Sequence, residues 1–528
     1  MSKRICTLFL AVLCMASTAL SAQSWPQREF TANISSSIPD WRVHKAYNAD
    51  EAQILTAVAE GLFVYDPFNM EPVPAIAESF TVSPDGLVWK FKLRSTARFE
   101  TGERITAEVI RNSWLSLLDR STEAPYASLF DMIEGARSYR TGLNPDPASV
   151  GITAAGITEL TVRLERPADH LLKILCHHAF SAVHPSRLNR PDADFSPSAL
   201  PVSSGPYRLD SSGEEGLRFV KNIWYWDRDE VLVPSIRLVI SDDSRMLTDA
   251  FNRGEIDWLG GTMILDGIYD TESIKVSPMF ATEYYFFRTE GAWADQDLRR
   301  ILFLAVNWDT LREGYLIPAK TLVFPIAGYP QLEGVVETDP GKAAILFSEW
   351  KKQNPDIILP ELVIRIPEAP SLRIQAEKMT EAWETLGIKT RVEGLPFREY
   401  YQSLGSNGFT VGLTSWIGDF ADPLAFLEMF RSDSSLNEAR WKNSEFDSLL
   451  DASAKATSGQ ERYTILARAE ELLLKDGVIL PVSHNLSVNV IDTNGLDGWY
   501  RNPLDIHPFK FLRFVAPRAL PGVARAGL

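Results

Sequence analysis

At 528 residues the chain exceeds the size at which one hydrophobic core stops growing, so two or more lobes are expected. Its composition, 45% hydrophobic and 23% charged, is that of an ordinary globular protein. A formal net charge of −16 argues against nucleic acid or an anionic membrane surface as a partner.

The N-terminus reads as an address. Lys3 and Arg4 precede the apolar run "ICTLFLAVLCMA" and the small residues of "STALSAQS", a secretory signal over residues 1–22 with an apolar stretch too short to span a bilayer. Cys14 offers a lipid-anchored alternative, which bulky Leu13 disfavours. Cleavage removes Cys6 and Cys14 and leaves Cys176, so no intrachain disulfide is expected.

"NADEAQILTAVAEGLF" is predicted helical, capped by Asp50, with Ile54, Leu55, Val58 and Leu62 on one face. "SFTVSPDGLVWKFKLR" is two alternating runs about Pro84-Asp85-Gly86, a hairpin signal. "ITAEVIRNSWLSLLDR" is a helix burying Ile110, Trp114, Leu117 and Leu118. "ELTVRLERP", "EGLRFVKN" and "SIRLVI" are strands, and "HLLKILCHHAFSAVHP" is an apolar helical patch in which Cys176 is a buried structural thiol. His177 and His178 are adjacent and His184 is six residues on, unlike the spacing of a helical metal pair, so no metal site and no cofactor is expected.

Later elements alternate. "ELVIRIP" (strand), "SLRIQAEKMTEAWETLG" (helix, ending near Gly387) and "IKTRVEG" (strand) make a βαβ unit, hence a parallel sheet segment in an α/β fold. "FTVGLTSW" is another strand of that lobe, and its carboxyl end leads into "IGDFADP". Ligands of open α/β sheets bind beyond such ends. Asp422 with Pro423 reads as a helix start, whereas Asp419 has no structural assignment and is either a solvated loop acid or a ligand group.

An ordered set of blocks then becomes specific: "AEGLFVYDP", "APYASLF", "SSGPYRL", "NIWYWD", "FNRGEIDWL", "DLRRILFLAVNWDTL" and the long "ARWKNSEFDSLLDASAKATSGQERYTILARAEELLLKDGVILPV". Over roughly residues 45–512 the chain resembles extracytoplasmic solute-binding proteins of the oligopeptide/dipeptide class, the receptors of peptide-importing ABC transporters. The resemblance implies an α/β, two-lobed, hinged periplasmic-binding-protein fold. Lobe I would span 25–285 and the return segment 495–528, with an extra subdomain near 63–185, and lobe II would span 286–494. It also implies a monomer that binds small peptides and hands them to permease subunits of the inner membrane, in the periplasm or another extracytoplasmic space.

Carried over residue by residue, Asp419 falls on the acid that holds a peptide's α-amino group, and Ser415 and Ile417 fall on main-chain pairing positions. Ala49 and Tyr126 fall on the opposite wall, Trp416, Phe397 and Phe280 on pocket positions, and Arg373 on an arginine suited to a carboxylate. Leu413 and Leu372 stand where a pocket Arg and His would be, and the cysteine pair of enterobacterial relatives falls on Thr282 and Ile417. Other solutes of the same fold (a nickel complex, haem, an oligosaccharide) and a surface sensor or adhesin are the alternatives. An exported hydrolase is disfavoured, since the sequence has no nucleophile elbow, no HExxH helix and no Ser or Cys with an evident base.

Overall fold

The computed structural model describes residues 27–517 apart from 36, 169, 189–200, 214–215, 262, 419, 421, 457 and the side chain of 398. The signal segment 1–22 and Asp419 therefore lie outside the described residues. In chain order the first elements are β1 (Phe30–Asn33), α1 (Ala49–Leu55), the short pair β2 (Phe63–Tyr65) and β3 (Pro72–Pro74), then β4 (Ala77–Val82), β5 (Val88–Leu93) and α2 (Ala107–Leu118). They are followed by β6 (Ile152–Ala155), β7 (Glu159–Arg163), β8 (Tyr207–Gly213), β9 (Gly216–Lys221), β10 (Ser235–Leu238), β11 (Trp258–Leu259) and the long β12 (Ile274–Phe287). The remainder contains β13 (Leu362–Pro367), α3 (Pro370–Glu384), β14 (Thr390–Leu395), α4 (Phe397–Ser403), β15 (Val411–Ile417), α5 (Gly459–Lys475) and β16 (Ile479–Ile491).

Local chemistry explains most of these boundaries. Gly86 at φ +72° supplies the left-handed turn between β4 and β5, and Gly387 at φ +80° follows α3. α2 is capped by Thr106, whose side chain accepts from the Val109 N–H, and Ile110, Trp114, Leu117 and Leu118 are fully buried along it. The first helix departs from expectation. Its cap is Asn48, in a reciprocal box with Glu51, and it stops at Leu55 rather than running to Leu62. Asp50 sits inside the first turn, accepting from the Ser35 hydroxyl and the Glu51 N–H instead. The apolar patch around Cys176 likewise forms a single short helix, Leu171–Ile174, and 3-10 turns.

Ten strands form one sheet in the order β14-β13-β15-β12-β16-β11-β1-β10-β9-β8. β13 and β14 pair in parallel around α3, the expected βαβ unit, and all six residues of β13 are buried. β12 and β16 carry the sheet from one lobe into the other. They pair at Ile274–Pro278 with Val490–Leu486, lose register between Pro278 and Thr282, and pair again from Thr282 opposite His484. The extra residues of this irregularity lie on β12, and such an insertion bends the strand that carries it.

Each lobe has its own core. Phe30, Leu55, Tyr207, Trp258, Ile491 and Phe514 are among the residues of one core, which draws on both ends of the described chain. A larger core lies under β12–β15 and continues into the four-stranded sheet β4-β5-β7-β6. Trp383 of α3 is wholly buried there and donates to the Leu302 carbonyl at 2.9 Å. Among the described residues, no helix is long and apolar enough to cross a membrane.

Candidate functional site

The site is organised by β15, which pairs with β12 along its whole length but with β13 only at Val411 and Gly412. β13 continues to Pro367 on its other partner, β14, so the two strands part and leave residues 413–417 of β15 with one unpaired edge. Alternation fixes which groups face that edge. Arg288 N–H donates to the Thr410 carbonyl and Gly418 N–H to the Phe280 carbonyl, so even-numbered residues face β12. The odd residues Leu413, Ser415 and Ile417 present their main-chain groups to the other side. Leu413 is already satisfied there: its N–H donates to the Tyr400 hydroxyl at 2.7 Å, and that hydroxyl donates to the Leu413 carbonyl.

Ser415, Trp416, Ile417 and Gly418 line an interlobe cavity of about 620 Å³, a size typical of small-ligand sites. Ala49 at the start of α1, Tyr126 and Phe397 line it as well. Six of the nine sequence-assigned residues are thus brought together. The Trp416 indole is nearly buried, donates to the Ala425 carbonyl at 2.9 Å, and lies 6.3 and 6.4 Å from the rings of Tyr47 and Tyr126. The Tyr126 hydroxyl donates to the Tyr47 carbonyl at 3.2 Å, holding the two stacked rings together. The Ser415 hydroxyl accepts from Asn485 Nδ2 at 2.6 Å.

Two of the nine, Phe280 and Arg373, are placed away from the cavity lining. Phe280 is buried core, not cavity wall: its ring packs edge-on to Phe426 at 4.8 Å, and its carbonyl and N–H are taken by Gly418 and Pro503. Arg373 stands at the exposed start of α3, holds Glu368 at 2.8 Å, and lines neither this cavity nor its neighbour. Asp419 falls outside the described residues, directly after Gly418. Asp422 has the structural work assigned to it and more: it accepts from the Leu424 N–H at 2.9 Å and holds Arg462 through both oxygens at 2.6 and 2.8 Å. Cys176 is half-buried on the cavity wall rather than enclosed in a core, with Sγ donating to the Leu172 carbonyl.

On the lobe I wall, beside Ala49 and Tyr126, sequence reasoning missed several residues. His177 and His178 line the cavity, their rings 4.1 Å apart, with His177 4.3 Å from Tyr126. Burial pushes His178 down to about 4 and His177 well below the usual imidazole range, so both are neutral at pH 7. Asp505 and Lys510, brought in by the C-terminal return, also line it. Lys510 donates to the Tyr225 hydroxyl at 2.8 Å and sits 3.6 Å from Glu60, whose carboxyl burial pushes above its usual range. No periodicity marks such residues, because their neighbours are distant in sequence. Among the described residues, no group of three or more His, Cys, Asp or Glu is placed to hold a metal ion.

A second cavity of about 750 Å³ adjoins the first and shares Tyr47, Asn48, Asp50, Phe397 and Tyr401 with it. The rings of Tyr47 and Tyr401, 6.2 Å apart, stand at the junction. Across the mouth the subdomain touches lobe II directly. Ser435 donates to the Pro125 carbonyl at 2.6 Å, and Arg140 to the Asp433 carbonyl at 3.1 Å. Arg137 pairs with the Asp433 carboxylate, and Arg166 lies 3.7 and 3.6 Å from Glu428 and Asp451.

Comparison with known proteins agrees with this architecture. The dipeptide-binding protein DppE of Bacillus subtilis is 25% identical over 480 residues, 87% of each chain. The Haemophilus influenzae OppA complex with the peptide RPPGFSPFR superposes with a TM-score of 0.81 at 21% identity, covering 93% of this chain and 100% of that one. The Escherichia coli murein tripeptide binding protein MppA superposes with a TM-score of 0.79 at 22% identity, covering 94% and 99%. Residues 71–438, well over half of the chain, match the pattern of the bacterial extracellular solute-binding proteins, family 5 middle region, and the chain belongs to that family.

Proposed function

We propose that this chain is the extracytoplasmic peptide receptor of an ABC importer. Exported by its N-terminal signal, it encloses a peptide between its lobes and delivers it to permease subunits. One observation carries the reading: the unpaired β15 edge at Ser415 and Ile417 forms a wall of the interlobe cavity. Main-chain groups recognise what all peptides share, so an added ligand strand gains affinity without sequence dependence. Asp419, next after the cavity-lining Gly418, would hold the peptide ammonium through a charge-assisted bond. Trp416, Tyr47 and Tyr126 offer ring faces to the first side chains, and Ala49 its main chain from lobe I. The lobes hinge at the bulge of β12 and β16. The named relatives and the peptide in the superposed OppA structure support the same solute class.

The test is ligand-linked melting with trialanine and N-acetyl-trialanine, together with mass spectrometry of whatever co-purifies. Trialanine should raise the melting temperature and the acetylated form should not. A shift with neither, and no recovered peptide, refutes the peptide reading; equal shifts with both refute the ammonium anchor.

A further inference from the structure

The β15 edge is open only at Ser415 and Ile417, a short distance for a ligand strand, and the reason lies in one side chain. Ser415 and Ile417 offer free main-chain groups toward the cavity, but the next odd residue, Leu413, has both N–H and C=O engaged by the Tyr400 hydroxyl. Tyr400 is fully buried on α4, so it is a fixed part of the wall. Its helix neighbours Phe397 and Tyr401 line both cavities and face the point at which a strand running from Ile417 past Ser415 leaves the edge. Beyond them the second cavity is bounded by charged groups of both signs, including Asp40, Arg42, Glu51, Arg120 and Glu438.

We propose that Tyr400 ends the ligand ladder at Leu413, so that only the first roughly three residues of a peptide are held through the main chain and the rest passes into the second cavity. This rests on the peptide reading above, with the amino terminus at the Gly418 end. An amide arriving at Leu413 meets an N–H already donated and a carbonyl whose outward side is occupied by the buried Tyr400 hydroxyl, and stripping the amide of water there costs more than it returns. In the second cavity the same amide keeps its water-mediated bonds. Mixed charge on that wall gives no reason to prefer one side chain over another. The receptor is therefore selective for the amino-terminal portion of its ligand and indifferent to length and sequence beyond it.

The experiment leaves the protein unaltered and changes the ligand. Calorimetry with alanine peptides of two to seven residues should show affinity rising to the third residue and then staying level within about threefold. N-methylation of a pentaalanine should weaken binding by about tenfold at the second or third amide, the scale of a lost hydrogen bond, and by less than about twofold at the fourth or fifth. A fluorophore on the fifth side chain should leave affinity within about threefold, the scale of a contact that is made only in water. Equal N-methyl penalties along the whole chain, or penalties confined to the carboxyl-terminal amides, overturn the ladder limit. A steep loss on adding a fourth residue overturns the overflow into the second cavity. Binding by no peptide of the series refutes the peptide reading itself, a different result from any of these.

Discussion

Replacing Asp433 with Asn should weaken ligand binding without touching the cavity. On the subdomain, Arg137, Arg140 and Arg166 face lobe II with Asp131 between them, and three guanidinium groups against one carboxylate leave a charge of +2. The facing segment carries Glu428, Asp433 and Asp451 with Arg431, leaving −2. In the hinged receptor proposed above, closure of the lobes brings these surfaces together and opening separates them. Arg140 lies 3.9 Å from the Asp433 carboxylate and Arg137 bonds it directly, with the Asp433 side chain 25% exposed. Unit charges about 4 Å apart interact by about 1 kcal/mol in water and about 4 kcal/mol at a protein surface, and partial exposure reduces each pair to about 0.2–1 kcal/mol. Loss of both contacts should therefore cost the closed state about 1 kcal/mol, and apparent trialanine affinity about fivefold. Asn keeps the side-chain shape, and Arg140 keeps Asp131 at 2.6 Å, so folding should be unaffected. Calorimetry at 0.1 M and 1 M salt adds a second reading, because the Debye length falls from about 10 to about 3 Å. Wild-type affinity should fall with salt, and that of the variant should fall less. Unchanged affinity together with an identical salt dependence would refute the charge complementarity as a force for closure.

Two further predictions concern stability. Burial holds His44 and His178 at about 4 and His177 well below the usual imidazole range, with the His178 charge adding to the depression of His44 and His177. A depressed imidazole adds stability that is complete above the unfolded value of about 6.5 and is lost as pH falls toward the folded value; their ring proton resonances should therefore hold steady between pH 8 and 5.5, and a midpoint near 6.5 would contradict the burial. Asp422→Ala removes the paired bonds to Arg462 and the bond to the Leu424 N–H, and takes a carboxylate away from a half-buried guanidinium. Urea unfolding should register a loss of about 2–4 kcal/mol; a change under about 0.5 kcal/mol, as at an ordinary surface site, would show the pair to be solvent-screened.

Elements with a strong local period were legible. β13, α3 and β14 follow from short strand runs carrying Val, Ile and Thr that flank a 3.6-residue pattern, and the β4–β5 hairpin from Pro84-Asp85-Gly86. Asp422 was legible because capping is a short-range effect. The boundary of α1 was not, since Asn48 and Asp50 are both good caps and the choice was made by Glu51 reaching back and by Ser35 arriving from another segment. Phe280 and Trp416 illustrate the same limit. Both are apolar rings on strands of the same sheet, and only packing sends one to Phe426 and the other to the cavity.

From sequence alone came the expectation of an export signal, the α/β class and the stretch around Ser415–Asp419 as a strand end suited to a ligand. These depend on composition and on residues within one or two turns of each other. The tertiary structure decided that β13 leaves β15 after Gly412, that Tyr400 seals the next position, and that the C-terminal return carries Asp505 and Lys510 to the same cavity. An open strand edge is a property of which strands fail to pair, and pairing is settled between segments far apart in the chain.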